Sequence, residues 1–365
     1  MAIFTDVFED VTKKGRKLQT NEYNERGKYA IIDQGQNDIA GYTDEENGVF
    51  GDVPAIVFGD HTRVVKYVDV PCYLGADGVK LLKAKIPNPN YRYLYYALSY
   101  VELPNTGYNR HFKWLKEVHI NLPDEQKQQE VVEILTRVDA IISLREQQLA
   151  KLDELVKARF VELFGDIGTD TKGWGLKRLG GCCTINPKKS EDKRLHQNLM
   201  VSFVPMPAVS ENGEIDASET KSYDEVKTGF TYFAEQDVLF AKITPCMENG
   251  KGAVAKGLCN GIGFGSTEFH VLRPVEGVSN PYWIYTVTAF EQFRVDAVNN
   301  MTGSAGQRRV PASFFDAYKV TLPPIELQNQ FASFVEQTDK SKLAIQQSLE
   351  KLETLKKSLM QKYFG

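Results

Sequence analysis

One stretch of this chain is said twice, and that repetition limits what the chain can fold into more than any other feature. Residues 122–165 read LPDEQKQQEVVEILTRVDAIISLREQQLAKLDELVKARFVELFG, and residues 322–365 read LPPIELQNQFASFVEQTDKSKLAIQQSLEKLETLKKSLMQKYFG. The two align without a gap: Leu122 with Leu322, Pro123 with Pro323, Gln128 with Gln328, Asp139 with Asp339, Leu149 with Leu349, Leu152 with Leu352 and Phe164 with Phe364. An internal repeat of this kind implies two copies of one structural plan in tandem.

Each copy is predicted to be a long helix. A Pro stands at the entry, where its missing N–H costs nothing. A run of good helix formers without internal Pro or Gly follows, and Gly165 occupies a C-terminal cap position. In the first copy Leu135, Val138, Ile142, Arg145, Leu149, Leu152, Val156, Arg159 and Leu163 step by three and four, which is a heptad seam. The second copy carries Val335, Thr338, Lys342, Ile345, Leu349, Leu352, Lys356, Leu359 and Tyr363 in the same phase. A helix of roughly 40 residues spans about 60 Å, too long and too polar on one side for a small core, so each copy is the economical partner of the other. The Gly-rich linker GDIGTDTKGWG after the first copy reaches at most about 35 Å when extended. The second globular part therefore starts near the C-terminal end of the first helix, and the second helix is expected to run back antiparallel, bringing the two chain ends together.

The expected fold is α+β: two similar mixed α/β lobes at opposite ends of an antiparallel two-helix coiled coil, related by an approximate two-fold axis. The expected boundaries are residues 1–121 for the first lobe, 122–165 for the first long helix, 166–175 for the linker, 176–321 for the second lobe and 322–365 for the second helix. In the first lobe YAIID (29–33) and AIVFG (55–59) read as short buried strands and 62–70 as an edge strand. NPNYRYLYYALSYVEL then reads as a helix opened by an Asn-Pro turn, and TGYNRHFKWL leads into a strand in EVHINLP. The second lobe repeats the plan. DVLFAKI stands for AIVFG, TEFHVLRP for GVKLLKAKIP, and NPYWIYTVTAFEQF is one more helix after Asn-Pro.

A chain of 365 residues suits two lobes plus helices. It has no run of eighteen apolar residues and no charged-then-apolar leader, so neither a membrane span nor a signal peptide is expected. Five cysteines without CxxC spacing suggest reduced thiols in a cytoplasm, and the few histidines lack zinc-ligand spacing, so no metal is expected. The net charge of −4 argues mildly against nucleic acid, yet the acidity concentrates in the first long helix. Basic clusters lie in the lobes at Lys13–Lys17, at Arg110–Lys116, at Lys188, Lys189, Lys193 and Arg194, and at Arg308–Arg309. Singly each reads as solvated surface; together they are distributed two to a lobe.

No P-loop, nuclease-type carboxylate cluster or Ser/His/Asp constellation is present, so the chain is expected to be non-catalytic with no cofactor of its own. The Gly261–Gly265 run precedes a strand, not a helix, and lacks the geometry that cradles phosphate. The N-P-N-Y of Asn88–Tyr91 is similar to the loop that holds the target amine in amino-methyltransferases, with Asn90 where that loop carries Pro.

The LPDEQ and LPPIE entries into long helices, the AIVF and DVLF strands, and TGSAGQRRV ahead of YKVTLPP together resemble the DNA-specificity subunit of type I restriction–modification systems. The resemblance covers essentially the whole chain and is carried by the order lobe, helix, lobe, helix. It implies two target-recognition domains that each read one half of a split, asymmetric site on double-stranded DNA. It also implies helices that act as a ruler and dock two modification subunits, which carry S-adenosylmethionine and methylate adenine, while restriction subunits add ATP-driven translocation and cleavage. The first lobe departs from the second in carrying TGYNRHFKW where the second has TGSAGQRRV. Half-sites read from one face lie about 34–36 Å apart. Lys and Arg position a lobe on phosphates, and Asn, Gln and Arg read base edges. The candidate DNA contacts are Lys13, Lys14, Arg16, Lys17, Gln34, Gln36, Asn109, Arg110 and Lys113 in the first lobe. In the second they are Lys188, Lys189, Lys242, Ser304, Gln307, Arg308 and Arg309, the last four within or beside a Gly-rich loop that permits close approach to a duplex.

Two other readings stay open on the residues alone: a two-lobed scaffold that binds protein or carbohydrate through its loops, and a methyltransferase with a degenerate N-P-N-Y loop. The helix pairing itself is open to test. Leu149→Asp or Leu352→Asp buries a charge in the seam and is expected to lower stability by several kcal/mol. Wild-type melting of both variants would show the seam to be misassigned.

Overall fold

The computed structural model describes every residue except Ala76, Tyr108 and Ala305. The chain divides into two compact units, Met1–Glu146 with Gln346–Gly365, and Gln147–Ile345.

The first unit opens with β1 (Ala2–Ile3), α1 (Phe4–Val7) and β2 (Phe8–Asp10). Five short strands and a longer one follow: β3 (Tyr29–Ile32), β4 (Gly41–Thr43), β5 (Ala55–Gly59), β6 (Val65–Val68), β7 (Cys72–Leu74) and β8 (Val79–Ala84). Then come α2 (Tyr91–Tyr100), α3 (Phe112–Leu115), β9 (His119–Ile120) and the long α4 (Glu125–Phe164), whose part up to Glu146 belongs here. One sheet runs β2-β8-β5-β6, with β6 at its edge; a second runs β4-β3-β7 and contains the parallel pair β3–β7. β1 and β9 pair antiparallel, Ala2 opposite Ile120, which ties the start of the chain to the strand that feeds α4.

The second unit repeats this order. Its strands are β10 (Leu176–Arg178), β11 (Cys183–Ile185), β12 (Met200–Val204) and β13 (Thr220–Ser222), then after α5 (Tyr223–Val226) β14 (Thr231–Ala234), β15 (Val238–Ala241), β16 (Gly252–Val254), β17 (Ile262–Gly265) and β18 (Phe269–Pro274). Three helices, α6 (Pro281–Ala289), α7 (Glu291–Asn299) and α8 (Ala312–Ala317), lead to β19 (Lys319–Thr321) and α9 (Ile325–Phe364). The sheet β11-β18-β15-β16 has the connectivity of β2-β8-β5-β6, and β13-β12-β17 has that of β4-β3-β7, again with its inner pair parallel and with β14 added at one edge. β10 and β19 pair as β1 and β9 do. The two lobes are thus copies of one mixed α/β plan.

The second lobe departs from the single helix expected after Asn280. NPYWIYTVTAFEQF is two helices, because Phe290 takes an extended backbone (ψ 143°) that ends α6 and caps α7. Among the described residues the first lobe has no counterpart of α7. The equivalent helix cap is also not the Asn-Pro pair of each copy. Asn90 accepts the Tyr93 N–H (3.1 Å) and Asn280 the Tyr282 N–H (2.9 Å), so Asn90 matches Asn280, while Asn88 lies upstream in a positive-φ turn. Asn90, the third residue of N-P-N-Y, is engaged as an ordinary N-cap. The glycines of 261–265 likewise serve packing. β17 lies inside a sheet, and a Cβ on Gly263 would collide with the Phe233 ring.

Both long helices span 40 residues and start three residues later than the repeat itself, after the prolines. The repeated Gln has a structural task. Gln128 Nε2 donates to the Pro123 carbonyl and Gln328 Nε2 to the Pro323 carbonyl, each at 2.8 Å, closing the entry turn of each helix. Gly165 (φ +80°) donates its N–H to the Val161 carbonyl at 2.8 Å and ends α4 in the left-handed conformation that glycine takes without strain.

All eighteen seam positions are buried or half-buried. Within the first unit the pairing is antiparallel: Lys127 lies over the Tyr363 ring, and Asp139 pairs with Lys356 at 2.7 Å. Leu135 shares a core with Val131, Leu359, Met360 and the aromatic face of α2. Within the second unit Asp153 pairs with Lys342, and Phe160 and Phe164 pack on Phe331 with ring centroids 5.5 and 5.4 Å apart. The five cysteines are free thiols; burial pushes Cys72 and Cys183 up to about 12, which holds them neutral.

Leu135 is fully buried, whereas Ile141 on the same helix is 42% exposed. Leu135→Ala is expected to destabilise the protein by about 2–5 kcal/mol in denaturant melts, and Ile141→Ala to leave the midpoint near wild type. Equal effects would place the core-facing side of α4 elsewhere.

Candidate nucleic-acid interface

In each lobe, the loops at one end of the β5-type strand are stitched together by backbone hydrogen bonds, and most of the expected contact residues stand on those loops. In the first lobe Asp60 is the knot. Its N–H donates to the Gly78 carbonyl (2.6 Å), its carbonyl accepts the His111 N–H (2.7 Å), and its carboxylate accepts the Phe112 N–H (2.7 Å). Asp60 and His111 are both buried. Buried polar groups must find such partners or cost free energy.

Gln34 belongs to the same knot. Its amide oxygen accepts the His61 N–H and its amide nitrogen donates to the Asp77 carbonyl, both at 3.2 Å, while the Thr62 hydroxyl donates to its backbone carbonyl at 2.6 Å. The buried Lys66 ammonium reaches Asp33 (3.3 Å) and the Asn37 carbonyl, fixing the loop after β3. Around this braced base Gln36, Asn109, Arg110 and Lys113 are exposed. Asn109 donates to the Thr106 carbonyl (2.6 Å), and Lys113 lies over the Trp114 ring at 4.2 Å. Arg110 has no side-chain partner among the described residues. Gln34 thus has both amide atoms bonded within its own lobe.

The Lys13–Lys17 cluster lies on a short 3-10 turn and the segment after it. Lys13, Lys14 and Lys17 are exposed. Arg16 donates to the Asn47 carbonyl (2.9 Å) and lies 3.6 Å from Glu45. Lys17 bridges to Leu74, the last residue of β7.

In the second lobe the same backbone knot carries different side chains. Lys242 donates its N–H to the Glu268 carbonyl (2.9 Å) and accepts the Val310 N–H (3.0 Å). Thr244 N–H donates to the Arg308 carbonyl (3.1 Å), and Thr302 and Arg309 exchange N–H···O bonds of 2.9 and 2.8 Å. Gly303 (φ +117°) and Gly306 (φ +84°) take positive φ between the antiparallel Thr302 and Arg309, and Ser304 and Gln307 beside them are exposed. Arg308 reaches Glu248 at 3.4 Å. Arg309 grips Glu268, and that hydrogen-bonded guanidinium holds the Glu268 carboxyl below its usual range. Lys242 is half-buried at the base of the loop. Lys188 is exposed, and Lys189 donates to the Lys227 carbonyl. Arg194 is bound by Asp192, whose carboxyl it holds far below the usual range together with the Tyr232 hydroxyl. The structure therefore brings Lys242, Ser304, Gln307, Arg308 and Arg309 together; Lys188 and Lys189 stand on the segment after β11.

The strand registers give a residue-by-residue equivalence between the knots. Phe58 faces Lys80 as Phe240 faces His270, so Asp60 matches Lys242 and Gly78 matches Glu268. The N–H of His111 meets Asp60 as that of Val310 meets Lys242, so Arg110 matches Arg309. Sequence reading missed Asp60, His111 and Glu268. The constant spacing between the β8 and β18 copies points to Glu268, but only once the strands are paired.

The family model for the type I restriction modification DNA specificity domain matches residues 4–154 and 171–356, one match to each copy. The type I restriction enzyme EcoEI specificity subunit of Escherichia coli is 43% identical over 157 residues, covering 42% of this chain and 25% of that protein. The EcoAI specificity subunit of the same organism is 40% identical over 163 residues, covering 43% and 26%. The aligned part thus spans about a quarter of the length of these curated relatives. Among solved structures, the type I restriction–modification S subunit from M. genitalium superposes over 100% of this chain and 95% of its own with a TM-score of 0.55 at 16% identity. A chain from a structure of type I R-M complex assembly and conformational transition covers the same shares with a TM-score of 0.51 at 16% identity. These likenesses show the same fold, and the family match runs through both copies. The chain belongs to the type I restriction–modification DNA specificity family.

Proposed function

We propose that this chain is the non-catalytic DNA-reading subunit of a type I restriction–modification complex in the cytoplasm, in which residues 1–121 and 176–321 each read one half of a split, asymmetric site. The observation that carries this reading is the pairing of one scaffold with two different loop chemistries. Strand order and register repeat, yet Asp60, Gly78 and Lys80 in one knot stand where Lys242, Glu268 and His270 stand in the other. A duplicated scaffold with divergent loops suits two unlike half-sites. The exposed cations of both loop sets supply phosphate contacts, and polar tips such as Gln36 and Gln307 supply base-edge contacts.

In this reading α4 and α9 pair as an antiparallel coiled coil that spaces the lobes, and two 40-residue helices, each about 60 Å long, are long enough to hold half-sites a helical turn apart. The same helices dock two modification subunits, with restriction subunits joining them. Leu144, Leu155, Leu343 and Leu355 support the docking role: each is an apolar side chain about half exposed on α4 or α9, which a lone helix pair leaves to water at a cost. Among the described residues no helix is long and apolar enough to cross a membrane.

Replacing residues 1–121 with the first lobe of a family member of different specificity, in the assembled methyltransferase, is expected to change one half of the methylated motif and leave the other intact. A swap that alters both halves, or neither, would contradict independent reading by the lobes.

A further inference from the structure

A guanidinium carries five N–H donors in a planar fork, and the second lobe accounts for three of those on Arg309. Nε donates to Glu268 Oε2 at 2.9 Å, Nη2 to Glu268 Oε1 at 2.8 Å, and Nη1 to the Gln307 carbonyl at 3.1 Å. Among the described residues no partner takes the other two, one on each terminal nitrogen. With the Nε edge closed by Glu268, planarity sends the remaining Nη2 N–H along the end-on edge, where it lies beside one of the two N–H groups of Nη1. The Arg309 side chain is 41% exposed and Glu268 25%, so the far end of the group is open to a ligand.

Both residues of the pair are also held at the backbone. Arg309 exchanges two hydrogen bonds with Thr302, and the Glu268 carbonyl accepts the Lys242 N–H. The two free donors are therefore fixed in place before anything binds. A preorganised fork loses less entropy on binding than a free Arg, and it matches an acceptor pair in one plane.

We infer that Arg309 is a specificity-determining residue whose end-on fork takes the O6/N7 edge of a single guanine in the second lobe's half-site, and that Glu268 is the positioning residue that aims it. The inference rests on the reading of this lobe as a DNA reader. Charge separates a base edge from a phosphate here. Glu268 neutralises Arg309, and Glu248 lies against the neighbouring Arg308. Phosphate contacts draw on net charge and counterion release, whereas a guanine edge is a neutral pair of acceptors that rewards geometry. The first lobe provides the contrast. Among the described residues Arg110, at the position of Arg309, pairs with no carboxylate, and Gly78 (φ +79°) stands where Glu268 does.

The test uses the assembled methyltransferase and duplexes carrying the motif it methylates. Replacing the guanines of the second half-site one at a time by 7-deazaguanine, which lacks only the N7 acceptor, is expected to weaken wild-type binding sharply at one position. Arg309→Lys keeps the charge and loses the fork; it is expected to lower discrimination at that same base pair by roughly 5- to 150-fold, leaving the other positions and binding to scrambled DNA unchanged. Glu268→Gln, checked for an unchanged melting temperature, is expected to relax the same position. Uniform loss on all sequences, with the salt slope reduced by about one, would make Arg309 a phosphate contact and overturn the inference. So would discrimination unaffected by Arg309→Lys, a Glu268→Gln variant as discriminating as wild type, or a half-site indifferent to every deazaguanine. An assembly that methylates no gene-dependent motif would sink the DNA-reading function itself, which is a separate outcome.

Discussion

Each lobe is held by the burial of two helix segments that come from opposite ends of the sequence repeat. In the first unit Phe364, at the end of α9, packs on Tyr93 with ring centroids 5.3 Å apart, in the core that also holds Leu135 from the early part of α4. In the second unit Phe164, at the end of α4, packs on Phe331 from the early part of α9 in the same core as Trp283. A start and an end of a long helix thus meet inside every lobe. Each such aromatic buries a large apolar area, so a lobe cannot release either helix without opening its own core. The aligned Phe164 and Phe364 are the sequence trace of this constraint.

That constraint explains how the loops can diverge. The core and the backbone bonds at the β5 and β15 ends fix where the loops begin and end, and side chains beyond them are free to differ. A carboxylate in one lobe and an ammonium in the other occupy the same backbone position, Asp60 and Lys242, because the hydrogen bonds that the two positions share run through the main chain. Recognition residues on loops carried by a rigid scaffold can change without a folding penalty of the same size.

Much of this was legible from the residues. The gap-free repeat predicted two 40-residue helices, and the seam from Leu135 to Leu163 lies on the less exposed side of α4. The matching of AIVFG with DVLFA and of GVKLLKA with the strand before Asn280 survives to the level of register. What failed did so for local reasons. Phe290 breaks a helical pattern that contains no Pro or Gly at the break, so periodicity alone passed over it. Asn-Pro was a tempting common marker, but the cap depends on which Asn has its side chain over the first turn, and that is Asn90. Charge runs named the basic residues yet could not say which ones the lobe keeps for itself. Arg16, Arg194 and Arg309 are bonded to carboxylates or carbonyls distant or close in sequence, whereas Arg110 has no such partner among the described residues, and that distinction exists only after the loops are brought together.

As proposed, one chain presents two independent readers joined by a spacer. Methylome sequencing of a host with and without this gene tests that proposal. The expected result is one gene-dependent motif built of two short, unlike specific blocks separated by a fixed run of unspecified bases, with methylated adenines in both blocks. A continuous motif, a symmetric one, or methylation unchanged by loss of the gene would contradict it.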